Sequence, residues 1–302
     1  MKAVTLKTES LLRRAGILRL SSKTISDGIR SGNFKSVYRG RGIEFSGVRE
    51  YLRGDDVRSI DWNVTARMGR AFVKQFEEDR ELILFLVVDS SLSMHSGSTG
   101  KSRLYTACEV AALTAFAAEQ TASPVGGVIF DQDISFCCEP KSGRDQVLML
   151  LSKYDSVLEG MSGKGKTKKG SDLERALKCA SMILKKRALV LVISDFRTTG
   201  YEKSLALLGS KHDVVAVRIT DPSDLELPDV GSIPFIDMES GFTQRLPTNS
   251  VAFRRSWRDS CRQRIERWQN ICYRRGVIPL EISTEDDSAL RLNQFFSLRE
   301  GQ

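Results

Sequence analysis

The chain has 302 residues, 41% of them hydrophobic and 28% charged, with a formal net charge of +8 at pH 7; that is enough for one large or two smaller globular domains with an ample core. No apolar run is long enough to cross a bilayer, and Met1-Lys2-Ala3-Val4-Thr5-Leu6-Lys7 lacks the apolar centre of a secretory signal, so a cytoplasmic location is expected. Only two histidines, His95 and His212, are present, which argues against Ser/His/Asp or Cys/His hydrolysis; each is expected on a surface or in a loop.

The positive charge is concentrated early. Residues 1–82 carry 17 Lys and Arg against 11 Asp and Glu, residues 83–223 carry 18 against 15, and residues 224–302 carry 11 against 12. A basic face can attract nucleic acid, acidic lipid or an acidic protein. Acids are interleaved here and no nucleic-acid module accompanies them, so nucleic acid is not an expected partner. The six cysteines, at 108, 137, 138, 179, 261 and 272, show no Cys-x-x-Cys spacing and lie mostly in apolar runs. They are expected as reduced core residues, not as disulfides or a zinc site.

In chain order, the first third shows little periodicity. Arg39-Gly40-Arg41-Gly42-Ile43-Glu44-Phe45, Arg49-Glu50-Tyr51, Gly54-Asp55-Asp56, Arg58, Ile60-Asp61-Trp62 and Ala66-Arg67 set many charges around a few large apolar residues. This suits a turn and short helix held by Arg–carboxylate pairs, in a smaller, irregular, basic region over residues 1–80. Residues 82–88 are then continuously apolar and end in Asp89-Ser90-Ser91-Leu92-Ser93, which reads as a strand buried on both faces with a polar loop at its tip. Residues 104–120 have helical periodicity. Strands are expected at 125–130 and 134–138, joined by Asp131-Gln132-Asp133, then a helix near 146–151 and a Gly/Lys loop.

A helix starts from Asp172, and the apolar run 188–193 is a strand ending in Ser194-Asp195. A helix near 203–208 and a strand at 214–219 follow. Residues 233–238 and 242–246 flank Glu239-Ser240-Gly241 as a hairpin. Phe253, Trp257, Cys261, Ile265, Trp268 and Cys272 form a stripe opposite Arg254, Arg255, Arg258, Arg262 and Arg274. That pattern suits a helix packed on the sheet with a solvated basic face, or one lying on a membrane surface. A sixth strand at 277–282 precedes Thr284, the expected cap of a last helix begun by Glu285, Asp286 and Asp287. The alternation predicts an α/β, Rossmann-like, mostly parallel sheet flanked by helices, with one antiparallel edge strand. It spans one domain over 81–302, with a hairpin inserted near 228–248.

The chemistry gathers at the strand tips. Asp89, Ser91 and Ser93 offer only oxygen, the ligand of Mg²⁺ and not of zinc or copper, although Asp and Ser also serve as ordinary turn and cap residues. Asp195 adds a second acid at a second strand tip, and Ser171 a third hydroxyl at a helix entrance. These three segments resemble the metal-ion-dependent adhesion site of von Willebrand factor A domains. The resemblance implies that Ser91, Ser93 and Ser171 bind Mg²⁺ or Mn²⁺ directly, that Asp89 and Asp195 hold it through water, and that an acidic side chain of a partner protein completes the shell without catalysis. Ser171 stands where that family usually has Thr.

The early segment Gly54-Asp55-Asp56-Val57-Arg58-Ser59-Ile60-Asp61-Trp62, the following Val73-Lys74-Gln75-Phe76-Glu77-Glu78, and later Pro228-Asp229-Val230-Gly231 and Ile282-Ser283-Thr284 resemble the prokaryotic family called domain of unknown function 58 over nearly the whole chain. The resemblance implies a protein-interaction adaptor linking a MoxR-type AAA+ ATPase to client proteins. Two enzymatic alternatives remain. Gly160-Met161-Ser162-Gly163-Lys164-Gly165-Lys166-Thr167 has the spacing of a phosphate-binding loop, in which Lys166 would meet phosphate and Thr167 Mg²⁺. The expected context, a buried strand before the loop and a helix opened by Lys-Thr, is missing: 153–157 reads as a weak strand and Lys168-Lys169-Gly170-Ser171 interrupts any helix. Asp89 could instead accept a phosphoryl group with Mg²⁺, but Ser91 stands where such enzymes place a second Asp.

Overall fold

The computed structural model describes residues 10–31, 43–78, 82–98, 100–160, 172–236 and 243–298. It separates into two compact units, one of Met1–Lys35 with Leu82–Gln302 and one of Ser36–Glu81. The division differs from the expected 1–80 and 81–302, because the first helices, α1 (Ala15–Ser21) and α2 (Lys23–Ser31), belong with the larger unit. The buried Asp155 carboxylate accepts the Ser10 hydroxyl and the Leu11 and Leu12 N–H groups at 2.7, 2.7 and 3.0 Å. Gln120 Nε2 donates to Arg19 O and Ser22 Oγ at 2.8 and 2.7 Å. Leu11, Leu18, Ile25 and Ile29 are buried in the main core. Gly28 passes so close to the last helix that a Cβ there would lie 2.8 Å from Phe296 Cβ.

The smaller unit is an antiparallel pair, β1 (Ile43–Glu50) and β2 (Phe72–Glu78), joined through α3 (Trp62–Met68). The expected Arg–carboxylate pairing takes the form of a two-pronged contact from Arg49 to Asp55, 2.7 Å in each prong. Asp61 caps α3 through the Asn63 and Val64 N–H groups, and Gly69 ends it at φ +69°.

The larger unit continues with β3 (Leu84–Asp89), α4 (Arg103–Gln120), β4 (Val125–Phe130), β5 (Ile134–Lys141), α5 (Arg144–Gly160), α6 (Leu173–Ile183), β6 (Leu189–Ser194), α7 (Glu202–Lys211), β7 (Asp213–Thr220) and the short α8 (Pro222–Leu225). The hairpin β8 (Ser232–Ile236) and β9 (Thr243–Pro247) follows, then α9 (Val251–Arg274), β10 (Ile278–Ser283) and α10 (Ser288–Ser297). The main sheet has six strands in the order β10-β7-β6-β3-β4-β5, parallel throughout except for β5 against β4. The α/β fold and the antiparallel edge strand are those the alternation predicts. β3 and β6 are buried at every residue, as continuous apolar strands between two helical layers must be. α4 is buried from Arg103 to Ala118; its many alanines let neighbours approach from all sides.

Three expectations change. The helix near 146–151 runs from Arg144 to Gly160, so residues 153–157, read as a weak strand, are helical. Thr284 does not cap the last helix: its hydroxyl donates to Asp221 Oδ2 at 2.8 Å, and Asp287 caps by accepting the Ala289 and Leu290 N–H groups. His212, expected on a surface or in a loop, lies in the loop after α7 but is buried there and not on the surface. The α9 stripe does turn inward, with Cys261, Trp268 and Cys272 buried. Of the six cysteines, Cys108, Cys261 and Cys272 are buried, Cys138 and Cys179 half-buried and Cys137 exposed.

Candidate functional site

β3 and β6 end side by side, Val88 pairing with Ile193, and this register sets Asp89 beside Ser194 and Asp195. Asp89 is the first polar residue of its strand and is only 1% exposed. Its Oδ1 accepts the Ser91 N–H at 2.9 Å and its Oδ2 the Ser194 hydroxyl at 2.6 Å. The chain then makes a single tight helical turn, Leu92–His95, which brings Ser91 Oγ within 3.2 Å of Ser93 Oγ, both residues being buried. The turn is pinned from both ends. Ser90 gives its N–H and hydroxyl to Phe130 O at the tip of β4, at 2.7 and 2.9 Å, and Ser96 Oγ donates to Ser93 O at 2.8 Å. His95 Nε2 lies 3.3 Å from Ser90 O.

Asp195 is aimed by a strained neighbour. Phe196 has φ +50°, a left-handed conformation that costs a non-glycine residue and persists only where its surroundings impose it. Its N–H donates to Ser194 Oγ at 3.1 Å, and its ring packs on Tyr201 and Trp268 with centroids 5.7 and 5.3 Å away. Asp195 Oδ1 accepts the Arg197 N–H at 3.2 Å. Among the described residues its Oδ2 is buried without a hydrogen bond and forms an ion pair with Arg197 Nε at 3.5 Å.

Burial pushes the Asp89 carboxyl up to about 6, and the charge of Asp195 pushes the same way, against the Ser194 and Ser91 hydrogen bonds. Two buried acids thus meet at the carboxyl ends of adjacent strands, each disfavouring the charge of the other. Among the described residues no group of three His, Cys, Asp or Glu could hold a metal; the donors gathered at these strand tips are the hydroxyls of Ser91 and Ser93 and the two carboxylates. That set fits a hard divalent cation, and the unsatisfied Asp195 Oδ2 is what such an ion, or a water bound to it, would meet. Both oxygens of Asp89 are engaged by the protein, which suits an indirect role.

Ser171, the expected third hydroxyl, lies outside the described residues, as do Lys164, Lys166, Thr167, Lys168 and Lys169. Its neighbour Asp172 is placed: the N–H donates to Asp131 O at 2.7 Å, at the turn after β4, and the carboxylate caps α6 through the Arg175 N–H at 2.9 Å. The entrance of α6 is thereby fixed beside the strand next to β3. The phosphate-binding-loop alternative loses its framework, because the element before Gly160 is the helix α5 and not a strand.

A second acidic group was not singled out in the sequence. Asp221 accepts the Ser98 N–H and hydroxyl at 2.9 and 2.6 Å, the Ser223 N–H and hydroxyl at 3.0 and 2.5 Å, and the Thr284 hydroxyl at 2.8 Å. Asp224 pairs with Arg103 at 2.6 Å and Arg197 at 2.5 Å, and Trp257 Nε1 donates to its carbonyl at 2.9 Å. The signal was Asp221-Pro222-Ser223-Asp224 after an apolar strand, a capping box with Pro at the first helical position.

Comparison with known proteins adds the following. The family model described as protein of unknown function DUF58 matches residues 47–267. Uncharacterized proteins of Mycobacterium tuberculosis and Mycobacterium bovis are each 31% identical over 230 residues, 76% of this chain and 71% of theirs. Among solved structures, an aerotolerance-related membrane protein from Bacteroides fragilis, with multiple mutations to serines, aligns at a TM-score of 0.46 with 17% identity over 72% of this chain and 98% of that one. The SpRpn10 VWA domain aligns at 0.39 with 10% identity over 73% and 98%. No helix among the described residues is long and apolar enough to cross a membrane.

Proposed function

The chain belongs to the family described as protein of unknown function DUF58, and from that premise we propose that it is a non-enzymatic adaptor whose strand-tip site binds Mg²⁺ or Mn²⁺ together with a carboxylate of a partner protein. The observation that carries this reading is the Asp89–Asp195 pair: two buried acids, one pushed up to about 6, the other with an oxygen that has no hydrogen bond among the described residues, beside hydroxyls 3.2 Å apart. Ser91, Ser93 and Ser171 would hold the ion, and Asp89 and Asp195 would act on it through water. A bound Mg²⁺ supplies a coordination position for an incoming carboxylate. The chain's own residues do the rest: Ser194 and the Ser91 N–H orient Asp89, the Phe196 backbone aims Asp195, and Ser90 and Ser96 fix the turn that presents the hydroxyls. The partner we propose is a MoxR-type AAA+ ATPase with its client proteins, as the family resemblance implies.

The test is Mn²⁺ titration followed by electron paramagnetic resonance, on the unmodified chain and on the double variant Ser91→Ala, Ser93→Ala. Beside it, proteins are captured from native cytoplasmic extract on the immobilised chain with Mg²⁺ or with a chelator. The expected result is at least tenfold weaker Mn²⁺ binding in the double variant and an AAA+ ATPase retained only with Mg²⁺. Unchanged Mn²⁺ binding together with metal-independent capture would refute the reading.

A further inference from the structure

Cys137 lies on the edge strand β5 and Cys179 on α6. Exposure alternates along β5, so consecutive cysteines point to opposite faces. Cys138 turns toward α5, where Gln146 Nε2 donates to its sulfur at 3.5 Å. Cys137 turns toward α6, and its Sγ is 3.6 Å from that of Cys179. Cys137 is exposed and Cys179 half-buried, so a small reagent can reach the pair. The thiols belong to a seam that two further contacts hold: the Asp172 N–H on Asp131 O and Arg175 Nη1 on Asp133 Oδ1, each at 2.7 Å. Backbone and side-chain bonds thus fix α6 against the β4–β5 hairpin at one end, and the two sulfurs meet further along the same seam.

We propose that Cys137 and Cys179 are a redox-active dithiol, closed to a disulfide by a low-molecular-weight disulfide such as oxidised glutathione. The thiolate of one cysteine attacks the small disulfide, releases one glutathione thiol and leaves a mixed disulfide; the second cysteine then displaces the other glutathione. The two protein thiols lose two electrons and two protons, and the oxidant takes up both as two thiols. Closure brings the sulfurs from 3.6 Å to about 2.05 Å. Because burial, and then the hydrogen bond and charge of Cys179, push the Cys137 thiol up to about 12, thiolate is scarce at neutral pH and exchange is slow, quickening as pH rises. The inference is independent of metal binding at the strand tips.

The experiment treats the reduced full chain with oxidised glutathione at mildly alkaline pH, alkylates the remaining thiols, and maps peptides by mass beside a melting curve. The expected product is a Cys137–Cys179 linked peptide two hydrogens lighter than the reduced pair, reversed by dithiothreitol, with melting raised by about 5 °C because the cross-link restricts the unfolded chain. Cys179→Ser should trap a glutathione adduct on Cys137. A stable glutathione adduct on Cys137 of the unmodified chain, a Cys137–Cys138 link, or full alkylation of both cysteines would each overturn the proposal.

Discussion

Two pairs of acids sit at the carboxyl ends of the same sheet in opposite electrostatic conditions. Asp221 and Asp224, after β7, are saturated with donors. Burial acts to raise the Asp221 carboxyl, yet the Ser223, Ser98 and Thr284 hydrogen bonds hold it down at about 2, and Arg197 and Arg103 lower Asp224 against its own burial. Asp89 and Asp195, after β3 and β6, are matched less well: both Asp89 oxygens accept hydrogen bonds, yet burial and the charge of Asp195 raise it to about 6, and Asp195 Oδ2 has no hydrogen bond among the described residues. A carboxylate fully matched by protein donors has nothing left to offer a ligand, whereas a buried pair short of positive charge is strained until a proton or a cation arrives. Acids at strand tips are therefore poor markers of a binding site by themselves; the raised Asp89 carboxyl against the lowered Asp221 and Asp224 distinguishes the site from the scaffold.

The largest effect should come from removing a saturated acid. Asp224→Ala leaves the 3% exposed Arg103 side chain without its counter-charge, a loss of about 3–5 kcal/mol and a fall in melting on the order of 10 °C, with Mn²⁺ binding by the remaining folded protein weakened less than threefold as Arg197 is left to Asp195. Asp195→Asn should do the reverse. It removes a like charge facing Asp89, so melting in chelator holds or rises while Mn²⁺ affinity falls at least tenfold. Calorimetry and Mn²⁺ titration of both variants would break the comparison if Asp195→Asn were as destabilising as Asp224→Ala.

Acid titration sharpens the same contrast. The folded value of Asp89, about 6, lies above its ordinary 3.8, so the folded chain binds that proton more tightly than the unfolded one. The resulting stability is fully present below pH 3.8 and lost as pH rises through 6. Asp221, lowered from 3.8 to about 2, contributes stability above pH 3.8 that disappears as pH falls through 2. In chelator, urea midpoints should report a loss on the order of 2 kcal/mol from Asp89 between pH 4 and 6.5. Saturating Mg²⁺ should reduce that slope and Asp89→Asn should remove it; a slope that survives Asp89→Asn belongs to another group.

Much of the sheet was legible because β3 and β6 are runs of apolar residues with no polar alternation, a pattern that two-sided burial explains. The candidate acids were legible for the same reason, since each ends such a run. What escaped depends on distant partners. α1 and α2 are short, and although Ile25 and Ile29 give α2 an apolar face, their docking rests on Asp155, Gln120 and Phe296, none of them near in sequence. Ser194 was visible next to Asp195, but its role, donating to Asp89 across 105 positions, exists only once two strands pair. Thr284 looked like a cap by local spacing, and a carboxylate 63 positions away took its hydroxyl instead.

Arg197 joins the two pairs and should give the smallest effect with the most mixed sign. Its Nη2 is 2.5 Å from Asp224 Oδ1 and its Nε 3.5 Å from Asp195 Oδ2, and its side chain is 39% exposed. Arg197→Gln leaves Asp224 with Arg103, so the stability loss is expected at about 1 kcal/mol, the range of a partly exposed pair. At the other acid the same change removes the cation that competes with an incoming metal, so Mn²⁺ affinity should rise severalfold at low ionic strength. The gain should shrink as salt screens the residual charges. One variant that lowers melting slightly while strengthening metal binding would show that the two pairs of acids draw on a shared arginine; weaker Mn²⁺ binding would instead make Arg197 a support for the site and not a rival of the ion.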